Sequence, residues 1–240
     1  MARATHGTSR RTVELITLLC FAAALDGCGP AGESETTVSV EQQQRLRAES
    51  QAYADRGIEQ LVRDDAALAL GQQLFAAHCA SCHGENGEGR PGVTRLAAGP
   101  HNYPITVESI RSTIANGRRG TMPAMGQLLG EVELGQVVAY IRSLPSADPL
   151  SEDEKRGRQL FTEHCARCHG DDARGKAELG APSLADDYWQ HGDSMMKIRL
   201  AVTRGVETQC PAHAGTLTAA EIDLLTAFVL GLVPGPDTGS

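Results

Sequence analysis

Apolar residues recur at helical spacing in several stretches of the chain, and no stretch shows the period-two alternation of a half-buried strand. Residues 65–78 predict a helix that runs into a Cys-rich turn, and residues 152–164 predict a second of the same kind. Ser151, just ahead of Glu152, Asp153 and Glu154, is the expected N-cap of that second helix. Thr218 opens the last helix, with Glu221 at the spacing of a capping box. Residues 41–64, with Gln42, Gln43 and Gln44 and mixed charge, predict a leading helix that packs weakly. Pro145 to Pro149 reads as a hinge. The fold class is all-α.

The pattern is used twice. Gly71 to Gly84 (GQQLFAAHCASCHG) recurs as Gly157 to Gly170 (GRQLFTEHCARCHG), offset by 86 positions. Downstream, the stretch around Ile110, Gly117 and Met122-Pro123-Ala124 pairs with Ile198, Gly205 and Cys210-Pro211-Ala212 at an offset of 88. The closing helices match at the same offset, Tyr140 and Ile141 against Phe228 and Val229. The expected organisation is a processed segment at 1–28, a linker and leading helix at 29–64, one small domain at 65–145 and another at 151–233.

The N-terminal segment is of a different kind. Arg3, Arg10 and Arg11 precede an apolar core from Leu15 to Leu25, short for a spanning helix and suited to an export signal. Leu25-Asp26-Gly27-Cys28 resembles a lipobox, which makes Cys28 a candidate site for a lipid that would tether the chain rather than span a membrane, with ordinary signal cleavage or an uncleaved weak anchor as the alternatives. The expected location is therefore the periplasm, with an anchor on Cys28.

Composition narrows the partners. A formal charge of −8 leaves no basic surplus for nucleic-acid binding and favours basic patches on partner proteins. Aromatic residues make up only 4% of the chain, so another apolar body must help fill two small cores.

Cys79-x-x-Cys82-His83 and Cys165-x-x-Cys168-His169 carry the attachment signature of c-type haem. Two thiols on one helical turn add to the porphyrin vinyl groups, and the adjacent imidazole takes the iron. A structural zinc site needs two more ligands at similar spacing, and a redox dithiol does not need the histidine. Two covalently bound c-type haems are therefore expected, with His83 and His169 as iron ligands.

The sixth ligand sets the chemistry. Met122 lies 40 residues after Cys82, in a loop before the closing helix, and is the expected thioether ligand of the first haem, with Met125 as its competitor. The aligned position in the second repeat is Cys210. Cys210 is expected to bind the second iron as a thiolate and to lower its potential, with His213, Met195, Met196 or no protein ligand as the alternatives. Arg118 and Arg119 are placed to pair with propionates in the first repeat, where the second has Val206 and Glu207. His101 and His191 read as surface residues.

On these residues the chain resembles the dihaem P subunit of the cbb3-type cytochrome c oxidases. The likeness covers about residues 50–233. It rests on the tandem CxxCH layout, on Ala67 to Phe75, on Leu179 to Trp189 (LGAPSLADDYW), and on Gln209-Cys210-Pro211-Ala212-His213, where the family has methionine in place of Cys210. The family's N-terminal membrane helix is replaced here by the signal-like segment, and its Asn-Leu-Thr-Asp-x-x-Trp stretch by Leu96 to Pro104 in the first repeat. The resemblance implies single-electron transfer between redox proteins at the outer face of the cytoplasmic membrane, with other cytochromes or a haem–copper oxidase as partners. The alternative is a haem enzyme oxidising a small sulfur compound such as thiosulfate through a Cys-ligated haem.

Overall fold

The structure is a computed structural model that describes residues 38–97 and 102–233. The signal-like segment, Cys28 and His101 lie outside the described residues.

Helix α1 (Val40–Ser50) is capped by Ser39, and a short α2 (Ile58–Leu61) follows a 3-10 turn. Helix α3 (Asp65–His78) starts where the Asp64 carboxylate accepts from the backbone N–H groups of Ala66 and Ala67. It gives way at Cys79 to the single turn α4 (Ala80–His83). Next among the described residues come α5 (Val107–Asn116), strand β1 (Arg118–Met122) and α6 (Glu131–Ser143). The second repeat supplies α7 (Glu152–His164), α8 (Ala166–His169), α9 (Met195–Arg204), β2 (Val206–Cys210) and α10 (Ala219–Leu232). Ser151 and Thr218 cap α7 and α10 with capping boxes, as their sequence contexts require.

Both sequence repeats are present in the described residues, which are mainly helical. The packing differs from the simple expectation in one respect: the closing helices are exchanged. One core joins α1, α2, α3 and Ile110 of α5 to α10, which buries Ile222, Leu224, Leu225 and Ala227 in it. The other core joins α6 to α7, α8 and α9, with Leu134, Val137 and Ile141 against Leu160, Phe161, Ile198 and Val202. Each core therefore takes its CxxCH helix from one repeat and its closing helix from the other.

Two glycines permit the crossings. A β-carbon on Gly71 of α3 would stand 2.7 Å from the Leu224 carbonyl oxygen and 2.8 Å from Phe228 Cβ. Gly157 of α7 meets the Gln136 carbonyl and Tyr140 Cβ of α6 in the same way. An aromatic pair lies beside each crossing: Phe75 with Phe228 at 5.3 Å, and Tyr140 with Phe161 at 5.4 Å between ring centroids.

Three expectations change. Residues 41–64 are broken into α1, a 3-10 turn and α2, and they pack firmly: Leu46 and Leu61 are fully buried against the core that α10 closes. Pro145 to Pro149 is not a hinge between separate bodies, because it joins α6 and α7, two helices of one core. The described residues also include an antiparallel ribbon, in which β1 pairs with β2 from Arg118↔Cys210 through Gly120↔Thr208 to Met122↔Val206. Strands of five residues, interrupted or flanked by glycine and proline, are too short to show alternation in sequence.

Candidate functional site

Both CxxCH turns have the same local build. The α3 and α7 helices end at the first cysteine, and the following turn brings the second cysteine and the histidine round to one side. Gly84 and Gly170, at φ 78° and 80°, then turn the chain away. His83 Nδ1 donates to the Thr94 carbonyl at 2.9 Å, and His169 Nδ1 donates to the Pro182 carbonyl at 3.0 Å. A carbonyl can only accept, so each Nδ1 carries the proton and each Nε2 keeps its lone pair for a metal. Burial holds both imidazoles below their ordinary pKa, which keeps them neutral at pH 7.

The ribbon carries the two candidate sulfur ligands. Arg118, Gly120 and Met122 of β1 share one partly buried face with Val206, Thr208 and Cys210 of β2, while the residues between them are exposed. Gly117 and Gly205 start the strands at φ 72° and 76°, and each lies tight against the opposite strand. A β-carbon on Gly117 would stand 2.7 Å from the Cys210 carbonyl oxygen; one on Gly205 would stand 2.5 Å from that of Met122. The matching backbone bonds follow: Met125 N–H donates to the Val202 carbonyl at 2.9 Å, and His213 N–H to that of Ile114 at 3.0 Å. The two repeats are thus related across the ribbon by an approximate two-fold axis near Gly120 and Thr208.

This exchange reassigns the sulfurs. A cavity of about 450 Å³ is lined by Cys165, Cys168 and His169 together with Met122 and Met125. Met122, expected at the first haem, therefore faces the second CxxCH. Cys210, expected at the second, faces the first. The Cys79 thiol is pushed up to about 12 by burial, then by Cys210 and Cys82, whereas Cys165 is pushed up to about 11 by burial and Cys168. Cys210 is itself raised by burial and by Cys82, with Arg118 acting in the opposite direction. The physical reason is the helix exchange, which carries each distal strand over to the other repeat's histidine.

The remaining candidates separate cleanly. Met195 and Met196 are exposed at the start of α9. His213 lies beside His78, whose ring is held below its ordinary pKa by burial first and by His213 next. His191 is exposed and lines the cavity mouth. Arg118 stacks over the Tyr103 ring at 4.0 Å and bonds the Ser109 hydroxyl at 3.1 Å. Sequence reasoning missed Tyr103, and it treated Glu221 only as a cap. Glu221 is fully buried and accepts from Thr218 N–H at 2.6 Å and Oγ1–H at 2.8 Å; its other oxygen finds no partner among the described residues. No pattern in the sequence marks a capping carboxylate as buried.

The residues present fit a covalently attached porphyrin. Paired thiols stand next to a histidine with its Nε2 free, and an apolar cavity with a thioether lies on the second of these turns. Among the described residues no cluster of three or more His, Cys, Asp or Glu could hold a bare metal ion, and no helix is long and apolar enough to cross a membrane.

Comparison with known proteins agrees with this chemistry. The family described as cytochrome C oxidase, cbb3-type, subunit III matches residues 66–141 and again 152–229. The cbb3-type cytochrome c oxidase subunit FixPc of Rhizobium leguminosarum bv. viciae is 37% identical over 184 residues, covering 70% of this chain and 62% of that protein. Subunit FixP of Azorhizobium caulinodans is 33% identical over 200 residues, covering 78% and 68%. Subunit CcoP of Rubrivivax gelatinosus is 33% identical over 181 residues, covering 75% and 59%. The chain thus spans roughly three-fifths to two-thirds of the length of these relatives. None of the three is named for sulfur-compound chemistry, and the thiosulfate alternative gains no support from them.

Proposed function

The chain belongs to the family of cytochrome c oxidase, cbb3-type, subunit III, and from that premise we propose that it is a dihaem electron carrier that delivers single electrons to a haem–copper terminal oxidase. The cofactor is covalently bound haem, and the proposed number is two, one on each CxxCH turn. Residues 65–145 and 151–233 are read as the two haem-carrying units of the sequence, interlocked through their closing helices. The proposed location is the periplasmic side of a bacterial membrane, with the lipid on Cys28 as tether.

Bound haem supplies a one-electron ferric–ferrous couple. The chain does the rest. Cys79 and Cys82, and likewise Cys165 and Cys168, would anchor the porphyrin edges. His83 and His169 offer Nε2 to the iron, each oriented by its carbonyl partner. Met122, which lines one cavity with His169, would offer a thioether to the haem held there, and a second protein ligand suits electron transfer rather than substrate turnover. Contacts between the repeats hold the two sites in fixed relation: the Gln190 carbonyl accepts from Gly92 N–H at 2.8 Å, and the Tyr188 hydroxyl accepts from Arg95 N–H at 3.0 Å.

The observation that carries this reading is the duplicated turn in which a histidine with its Nδ1 tied to a carbonyl follows two thiols. Purified holoprotein tests it by its haem content and by what it copurifies with. Two acid-stable haems per chain and recovery with a haem–copper oxidase are expected. A bare polypeptide would end the proposal.

A further inference from the structure

We propose that Cys210, as a thiolate, is the sixth ligand of the iron held by His83, so that the two haems differ in their distal sulfur. The proposal rests on haem being carried at the first CxxCH turn, as set out under the proposed function.

Cys210 stands where Met122 stands when the repeats are exchanged across the ribbon. Both occupy the outer end of the shared inward face, and the backbone beyond each makes the same bond to the opposing helix, Met125 to Val202 and His213 to Ile114. Met122 lines the cavity of the second CxxCH turn, and the same relation across the ribbon sets Cys210 on the side of the first.

The cross-strand partners differ in a way that matches the ligands. Val206 lies opposite Met122, an apolar side chain facing a neutral thioether. Arg118 lies opposite Cys210, a fixed cation facing the one candidate ligand that can be an anion. Arg118 is held in place by the Tyr103 ring and Ser109.

Ligation replaces the Cys210 S–H bond with a sulfur–iron bond, and the proton goes to solvent. No electron changes hands. A thiolate donates more charge than a thioether, so this centre has the lower potential of the two.

The test uses full-length holoprotein, haem quantitation, EPR of the oxidised form and a redox titration. The wild type should show two haems and a low-spin thiolate signal of one spin per chain. Cys210→Met, which lengthens the arm by one methylene and neutralises it, should abolish that signal and raise the lower potential. Met122→Ala should leave the signal in place. Cys168→Ala keeps the second haem on one thioether and shifts its visible band, so the low-potential step should carry the unshifted band. Two haems with no thiolate signal overturn the ligand assignment alone. The same holds for a signal indifferent to Cys210→Met, a low-potential step carrying the shifted band, or an imidazole signature pointing to His213. Fewer than two haems in the wild type overturns the functional reading beneath it as well.

Discussion

Gly71 and Leu224 are 153 positions apart in sequence, yet a β-carbon on the glycine would stand 2.7 Å from the leucine's carbonyl oxygen. That contact joins the first helix of one repeat to the last helix of the other. Gly71→Ala should cost about 1–3 kcal/mol, the usual range for overpacking a tight core, and Gly157→Ala should cost a similar amount. Thermal or denaturant unfolding of each single variant checks it; an unchanged midpoint for both would mean the helices do not cross there.

The exchange also predicts how the halves behave. Residues 38–147 made alone lack α10, and residues 148–240 made alone lack α6, so neither should unfold cooperatively. Mixing the two should restore a single cooperative transition and a one-to-one complex by sedimentation. Independent folding of either half would contradict the exchanged packing.

Removing Met122 should open the second site. In the Met122→Ala holoprotein the far-red thioether–iron band should vanish and added imidazole should bind, because Met122 lines the cavity with His169. Met125→Ala should keep the band. The reverse pattern would make Met125 the ligand.

Histidine burial sets an acid limit for the haem-free protein. His78, His83 and His169 all sit below their ordinary pKa, chiefly through desolvation. In each case the unfolded chain takes up the proton first. The stability they contribute is full above about pH 6.5 and is lost as pH falls from there through the folded values. Unfolding midpoints should hold between about pH 8 and 7 and drop below about 6.5; His78→Leu should soften the drop.

Glu221 is buried, with one oxygen bonded to Thr218 and the other without a partner among the described residues. Thr218→Ala removes the cap and should cost about 1 kcal/mol. Glu221→Ala should cost more than that, since the half-buried Thr218 N–H loses its acceptor and a fully buried side chain is removed. Calorimetry of the two variants gives the order.

The amino-acid sequence by itself determined the helices that lead into each CxxCH turn and close each repeat, the Ser151 and Thr218 caps, the duplication and both CxxCH turns. These are local: a helix of apolar period, a Ser or Thr before it and five adjacent residues of fixed chemistry need no distant partner to be recognised. It could not decide which Met or Cys faces which histidine. Two similar repeats leave self-closed and exchanged packings both open to the sequence, since Tyr140 and Ile141 of α6 match Phe228 and Val229 of α10. Tertiary structure decided it through connection length: α6 is followed within nine residues by α7 and packs on it, which leaves α10 for α3. Cys210 and Arg118 become neighbours only through that exchange.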